Sequence, residues 1–339
     1  MKVHFWGTRG SLPAPLSAET LQKKMAAVLC LAGGRKFADS SAALSWLARE
    51  VPFPLANTFG GNTPCIEIMP DQENESRHEY LLCDLGSGAR NFSLAALGNP
   101  RRREPQTFHI LMSHVHWDHI MGFPFFTQAY IPGNKIVIYG GHENLEEAFR
   151  RQHAAPSFPV DYSKLLASIE YVRLVPERTY LIAGFSVTVT RQVHAGDSYG
   201  YRIERDGQSV IYTTDSEHPL DDHAEWERCI EFFRNADLVI FDAMYTLAAA
   251  ATIKREWGHS SNVVGVEMCQ MAKAKHLVLF HHDPALDDDA LAVMLAETRR
   301  FESITRGDHP LEISSAYDGL EIACSVVENA RVPQQQKLV

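Results

Sequence analysis

In the run Ile110-Leu-Met-Ser-His-Val-His-Trp-Asp-His-Ile-Met-Gly-Phe, four side chains able to hold a metal ion fall within six residues of an apolar stretch: His114, His116, Asp118 and His119. Side chains alternate along a strand, so at its end His114 and His116 project to the same side, and the turn that follows can fold Asp118 and His119 toward the same point. Such a loop can feed two adjacent cations. A merely solvated loop is a poor account of three histidines and an aspartate placed directly after a buried strand.

Other candidates stand at the ends of other apolar runs: Val193-His194-Ala-Gly-Asp197, Tyr212-Thr-Thr-Asp215 and Leu279-Phe-His281-His282-Asp283. Each alone reads as an ordinary core or turn residue, but their shared placement gives them weight. Trp257-Gly-His259-Ser-Ser is a further motif, in which Ser260 or Ser261 is suited to cap a following helix, and a helix start favours a nearby anion. Asp242, after Leu238-Val-Ile-Phe, reads either as support for the site or as a helix or turn cap.

The elements that must position these groups are β-rich runs: Val3 to Trp6, Cys65 to Met69, Tyr80 to Asp84, Phe108 to His114, Lys135 to Tyr139, Phe185 to His194, Ser209 to Asp215, Leu238 to Met244 and His276 to His282. Some alternate apolar and polar, as in Phe185-Ser-Val-Thr-Val-Thr, and others are continuously apolar, which predicts half-buried and fully buried strands in one molecule. Helical spacing at Leu21, Met25, Val28 and Ala32, and at Leu44, Leu47 and Val51 behind a Ser40 or Ser41 cap, predicts a two-helix insertion over 17–56. Further helices are expected at 143–152, 221–235 and 260–274. One α/β domain over 1–325 with a C-terminal tail at 326–339 is the expected organisation.

The composition is that of an ordinary globular protein, with 45% hydrophobic and 22% charged residues over a length of 339. A net charge of -10, with Arg101, Arg102 and Arg103 as the one dense basic run, weighs against extended nucleic acid as a partner. The six cysteines show no CxxC pair or secreted-framework spacing, so reduced core thiols are expected. The opening Met1-Lys-Val-His-Phe-Trp-Gly has no signal-peptide pattern and no later stretch has the length of a membrane span, so a soluble, cytoplasmic protein without membrane contact is expected.

These motifs together resemble the metallo-β-lactamase superfamily, whose signature is an H-x-H-x-D-H loop followed by a His, an Asp and a final His on successive strands. The resemblance covers most of 1–290 and implies a four-layer αββα sandwich, here carrying the helical insertion near the N-terminus. It implies two divalent ions. His114, His116 and His194 would hold one, Asp118, His119 and a last histidine the other, and Asp215 would bridge them. His281 is favoured over the adjacent His282 as the last ligand because it follows the apolar strand directly. Asp84, in Cys-Asp-Leu-Gly-Ser-Gly, resembles the family's buried aspartate that supports the ligand loop. A ligand set of imidazole and carboxylate suits zinc and also admits manganese or iron.

Trp6-Gly-Thr-Arg-Gly-Ser-Leu-Pro, the Gly60-Gly-Asn-Thr turn and the Gly-His-Ser element at His259 resemble the ribonuclease Z-like branch. That implies phosphodiester hydrolysis, with Asp118 orienting a water and His259 at the scissile phosphate. The chain shows no equivalent of that branch's basic RNA-binding arm, which moves the expected substrate toward a small phosphodiester such as a cyclic nucleotide. The alternatives are a carbonyl hydrolase (lactonase or thioesterase) and a nuclease acting like the transfer-RNA 3′-processing enzymes. The resemblance also admits a homodimer, with the 123–132 loop as a natural contact. Phe123, Phe125, Phe126, Tyr130 and Tyr162 are read either as nucleobase-stacking groups or as core.

Overall fold

The computed structural model describes residues 1–71, 78–98, 104–218, 222–247 and 257–324; the Arg101–Arg103 run and the 326–339 tail lie outside them. Two seven-stranded sheets form the centre. The first runs β14 (Glu321–Ala323), β1 (Lys2–Gly7), β2 (Cys65–Met69), β3 (Glu79–Cys83), β4 (Thr107–Leu111), β5 (Lys135–Gly140) and β6 (Ser168–Arg173), parallel from β3 to β6. The second runs β13 (Glu312–Ser315), β12 (His276–Phe280), β11 (Leu238–Asp242), β10 (Gln208–Thr213), β9 (Ser198–Arg205), β8 (Phe185–Gln192) and β7 (Thr179–Ile182).

Alternation along the strands builds the layers. Val210 and Tyr212, Leu238 and Ile240, and Val278 and Phe280 face the first sheet together with Val3, Phe5, Ile66 and Leu111. Their neighbours Ile211, Val239, Phe241, Leu277 and Leu279 face outward and pack on the helices His223–Phe233 and Asn262–Met271. Strands covered on both faces must be apolar throughout, which accounts for the uninterrupted Leu238–Phe241 and Leu277–Phe280 runs. On the far side of the first sheet, Leu82, Phe108, Ile110 and Ile138 pack against the helix Ala89–Leu97 and against Phe123, Phe126 and Phe149. The result is the expected αββα sandwich.

Three helices, Ala18–Ala32, Ser40–Glu50 and the short Phe53–Ala56, occupy the 17–56 region, one more than expected. The first buries none of its residues and the second buries only Trp46. The second is capped by Asp39, which accepts from the Ala42 amide at 2.8 Å, rather than by Ser40 or Ser41. The helix at Asn262 is capped by Ser261, one of the two serines expected there. Five cysteines are buried as expected, but Cys30, on the exposed first helix, is not. Phe123 and Phe126 are wholly buried, so their role is core packing, while Tyr162 is held by the Tyr171 hydroxyl at 2.9 Å and by Arg150 over its ring. No helix among the described residues is long and apolar enough to cross a membrane.

The loop after β1 is held beside the site by Arg9, which ties it to Gly60 and to the 283–288 segment. Arg9, 3% exposed, donates to the carbonyls of Gly60 (2.9 Å), Asp283 (3.1 Å) and Leu286 (2.8 Å) and lies 3.9 Å from Asp288. Asp288, at the start of the helix Asp288–Thr305, also accepts from Thr58 Oγ1 (3.0 Å) and the Phe59 amide (2.8 Å) and pairs with Lys24. Removing one partner from a buried ionic group leaves the others without compensation. Asp288→Ala is therefore expected to cost about 3–5 kcal/mol of stability, read from the shift in a urea unfolding midpoint.

Candidate functional site

The parallel run β10–β11–β12, with β8 pointing the same way across the antiparallel β9, brings four strand ends to one edge of the second sheet. Asp242 ends β11, His281 follows β12, and Asp215 and His194 stand two residues beyond β10 and β8. From the first sheet, the end of β4 supplies 112–119. Loops at the carboxyl ends of strands in an open α/β sheet are where such folds place their ligands.

Seven of the side chains singled out from the sequence converge here as two groups, His114 with His116 and His194, and Asp118 with His119, Asp215 and His281. In each group the candidate donor atoms all lie within 4.8 Å of one another. His116 Nδ1 is 3.2 Å from His194 Nε2, and His119 Nε2 is 3.3 Å from His281 Nε2. Asp215 spans the two groups: Oδ1 is 3.2 Å from both His119 Nε2 and His281 Nε2, and Oδ2 is 3.6 Å from His114 Nε2. His282 turns away, its Nε2 2.8 Å from the Ala316 carbonyl.

The far side of the rings is tied down. His119 Nδ1 bonds to Asp84 Oδ2 (2.7 Å), His194 Nδ1 donates to the Gly258 carbonyl (2.8 Å), and His114 Nδ1 lies 3.1 Å from Ser113 Oγ. Occupying Nδ1 fixes the tautomer that leaves the Nε2 lone pair pointing inward, the usual support behind a metal-binding histidine. Asp84 is wholly buried and also accepts from the Ser113 amide (2.8 Å), Ser113 Oγ (2.7 Å) and the Tyr212 hydroxyl (2.6 Å). The Ser11 amide donates to Asp118 Oδ2 at 2.8 Å.

These residues fit a divalent cation by three observations. Buried His114 Nε2 has no hydrogen-bond partner among the described residues, and the Nε2 atoms of His119 and His281 face each other at 3.3 Å. Burial favours the neutral form of His119, yet Asp118, Asp215 and Asp84 outweigh it and raise the imidazole well above its ordinary value. Burial and the neighbouring imidazoles push His114 well below its own. The carboxylates Asp118, Asp215 and Asp84 thus favour positive charge beside His119. Asp84 (φ 60), Asp215 (φ 49), His281 (φ 58) and Ser11 (φ 57), in or beside the cluster, lie in the left-handed region.

His259 sits beside both groups, its ring 5.3 Å from His194 and 5.1 Å from His281. Its Nδ1 bonds to Asp242 Oδ2 at 2.8 Å. Burial lowers its pKa, but Asp242, then Asp215 and Asp118, override this and lift it to about 9. Asp242 also accepts from the Met244 amide (3.1 Å) and the Ser216 amide (3.3 Å), so it supports the site at the end of β11.

Residues 80–282 match the β-lactamase superfamily domain, and this chain belongs to that superfamily. Its relatives place it in the ribonuclease Z-like branch. It is 24% identical to ribonuclease Z of Thermoplasma acidophilum over 241 residues, covering 56% of this chain and 73% of that one. To ribonuclease Z of Geobacillus kaustophilus it is 24% identical over 263 residues, covering 64% and 82%. The crystal structure of the metallo-β-lactamase fold protein YhfI from Bacillus subtilis superposes with a TM-score of 0.58 at 18% identity, covering 95% of this chain and 99% of that chain. The fold implies divalent-metal binding, and His/Asp clusters able to hold such ions are present.

Ser113, Tyr212, Ser11 and the Gly258 carbonyl were not singled out from the sequence. Backbone groups and hydroxyls carry no residue-type signal for such roles, although Gly258 has a trace of one: at φ 80, a Cβ there would stand 2.2 Å from His194 Nδ1. Gly258→Ala is expected to displace His194 and lower the metal retained after dialysis, measured by atomic absorption. Asp84→Asn, which exchanges a carboxylate oxygen for an amide behind His119, is expected to weaken metal affinity about 10–100-fold in a chelator competition.

Proposed function

We propose that this protein is a phosphodiesterase that hydrolyses a P–O bond of a small phosphodiester, a cyclic nucleotide being the leading case, within one domain spanning 1–325. His114, His116 and His194 would hold one divalent ion, and Asp118, His119 and His281 a second, with Asp215 between them. Zinc is the first choice for a set without thiolate, with manganese or iron admitted. When bound, the two ions supply charge neutralisation for the phosphoryl oxygens and acidify an attacking water.

The observation that carries the reading is His259 held by Asp242 beside both groups. With Nδ1 engaged by a carboxylate and a pKa near 9, the imidazole is protonated at neutral pH and offers Nε2–H to a departing alkoxide or a phosphoryl oxygen. Such a group serves an anionic centre with a poor leaving group. Asp118, its Oδ2 fixed by the Ser11 amide, orients the water and accepts its proton. The relatives named ribonuclease Z support P–O chemistry. The net charge of -10 favours a small substrate over an extended polyanion.

The test is turnover of bis(p-nitrophenyl) phosphate and of 2′,3′- and 3′,5′-cyclic nucleotides, beside a precursor transfer RNA, a nitrophenyl ester and a lactone. Phosphodiester turnover that falls about 10²–10⁴-fold in His259→Ala is expected; ester or lactone turnover alone overturns the reading. Because protonated His259 is the active form, activity is expected to fall as pH rises through its pKa. Asp242→Asn, removing the neighbouring charge, is expected to shift that alkaline limb to lower pH in a kcat profile.

A further inference from the structure

Apart from the two groups joined by Asp215, a third set of metal-ligating side chains meets between the second sheet and its covering helix: His218, Glu225 and Cys229. Glu225 and Cys229 stand four residues apart on the helix His223–Phe233 and so share one of its faces. His218 lies on the segment that leaves β10, three residues beyond Asp215, and stacks on Phe241. Among the described residues, this set alone joins a thiol to nitrogen and oxygen donors.

The spacing suits a coordination sphere. One donor atom from each residue lies within 4.8 Å of the other two. Cys229 Sγ is 3.8 Å from His218 Nδ1 and 3.4 Å from Glu225 Oε1. With sulfur about 2.3 Å and nitrogen or oxygen about 2.0–2.2 Å from zinc, tetrahedral ligand atoms stand roughly 3.3–3.6 Å apart, so little movement is needed. His218 is 5% exposed, and its Nε2 has no hydrogen-bond partner among the described residues. A buried imidazole whose polar contact is a weakly bonding thiol calls for a further partner. Arg228 bonds both oxygens of Glu225, Nη2 to Oε1 at 2.5 Å and Nε to Oε2 at 3.1 Å, which fixes the carboxylate and still leaves it lone pairs for a cation.

We infer that His218, Glu225 and Cys229 bind a divalent cation of the zinc type, separate from the groups joined by Asp215. Thiolate, imidazole and carboxylate are a zinc ligand set, and the two anionic members balance the ion's charge, the thiol proton leaving to solvent on binding. The segment it would hold carries contacts of the other site. The Ser216 amide donates to Asp242 Oδ2 (3.3 Å), the Glu217 amide to the Val193 carbonyl (2.8 Å), and Glu217 Oε2 accepts from the Gly258 amide (3.1 Å). A cation on His218 therefore pins the Asp215 segment to the helix His223–Phe233, whatever substrate the protein takes.

The test loads the full chain with zinc, removes loosely held metal by dialysis and reads the remainder by zinc K-edge X-ray absorption. The groups joined by Asp215 contain no thiolate, so a zinc–sulfur shell at about 2.3 Å reports the new site. That shell is expected in the wild type; zinc surrounded by nitrogen and oxygen alone overturns the proposal without recourse to any variant. Cobalt loading then compares Cys229→Ser and His218→Gln, each checked for fold by circular dichroism. The wild type is expected to show thiolate-to-cobalt charge-transfer absorption in the near ultraviolet, Cys229→Ser to lose it, and His218→Gln to need at least about tenfold more cobalt to reach it. A band that persists in Cys229→Ser, or that titrates in His218→Gln as in the wild type, overturns the assignment. Should either variant fail to fold, the wild-type sulfur shell decides.

Discussion

A single buried carboxylate, Asp84, joins the two halves of the sandwich at the place where the chemistry lies. It stands at the end of β3 in the first sheet, takes the Ser113 amide and hydroxyl from the end of β4, and takes the Tyr212 hydroxyl from β10 in the second. An isolated carboxylate in so dry a place would cost several kcal/mol, and its hydrogen bonds offset that cost only while both sheets stay in register. The same oxygen that receives Tyr212 receives His119. Inter-sheet geometry and ligand orientation are therefore one constraint, and the apolar interior around it sets the distance at which it is met.

Much of this was legible in the sequence, for a physical reason. Continuous apolar runs ending in His or Asp identify strands covered on both faces with a polar group at the tip, and β11 and β12 take that form. The choice between His281 and His282 illustrates the limit. Its place directly after the apolar strand ranks His281 first, and the structure turns it into the cluster while His282 meets the Ala316 carbonyl. What decides the matter is the left-handed backbone of His281, a tertiary demand on a non-glycine residue that no propensity encodes.

Other parts left weaker traces. The helix Asp288–Thr305 buries Thr298 and Glu302, so polar residues on its covered face blur the periodicity. The Phe123–Phe126 segment admitted either role from its aromatic character, and Phe123 and Phe126 fill the layer beneath the first sheet while Phe125 is exposed. Burial is a property of what packs on a residue, which residue type alone does not give.

The strained backbone at Asp84, Asp215, His281 and Ser11 has an evolutionary consequence. Each such residue costs of order 1–3 kcal/mol relative to a relaxed turn, and the surrounding core must absorb it. A descendant freed from selection for catalysis would gain stability by relaxing these turns, glycine being the easiest replacement. Retention of aspartate and histidine at left-handed positions is thus a mark of selection that a single chain carries in its own dihedral angles.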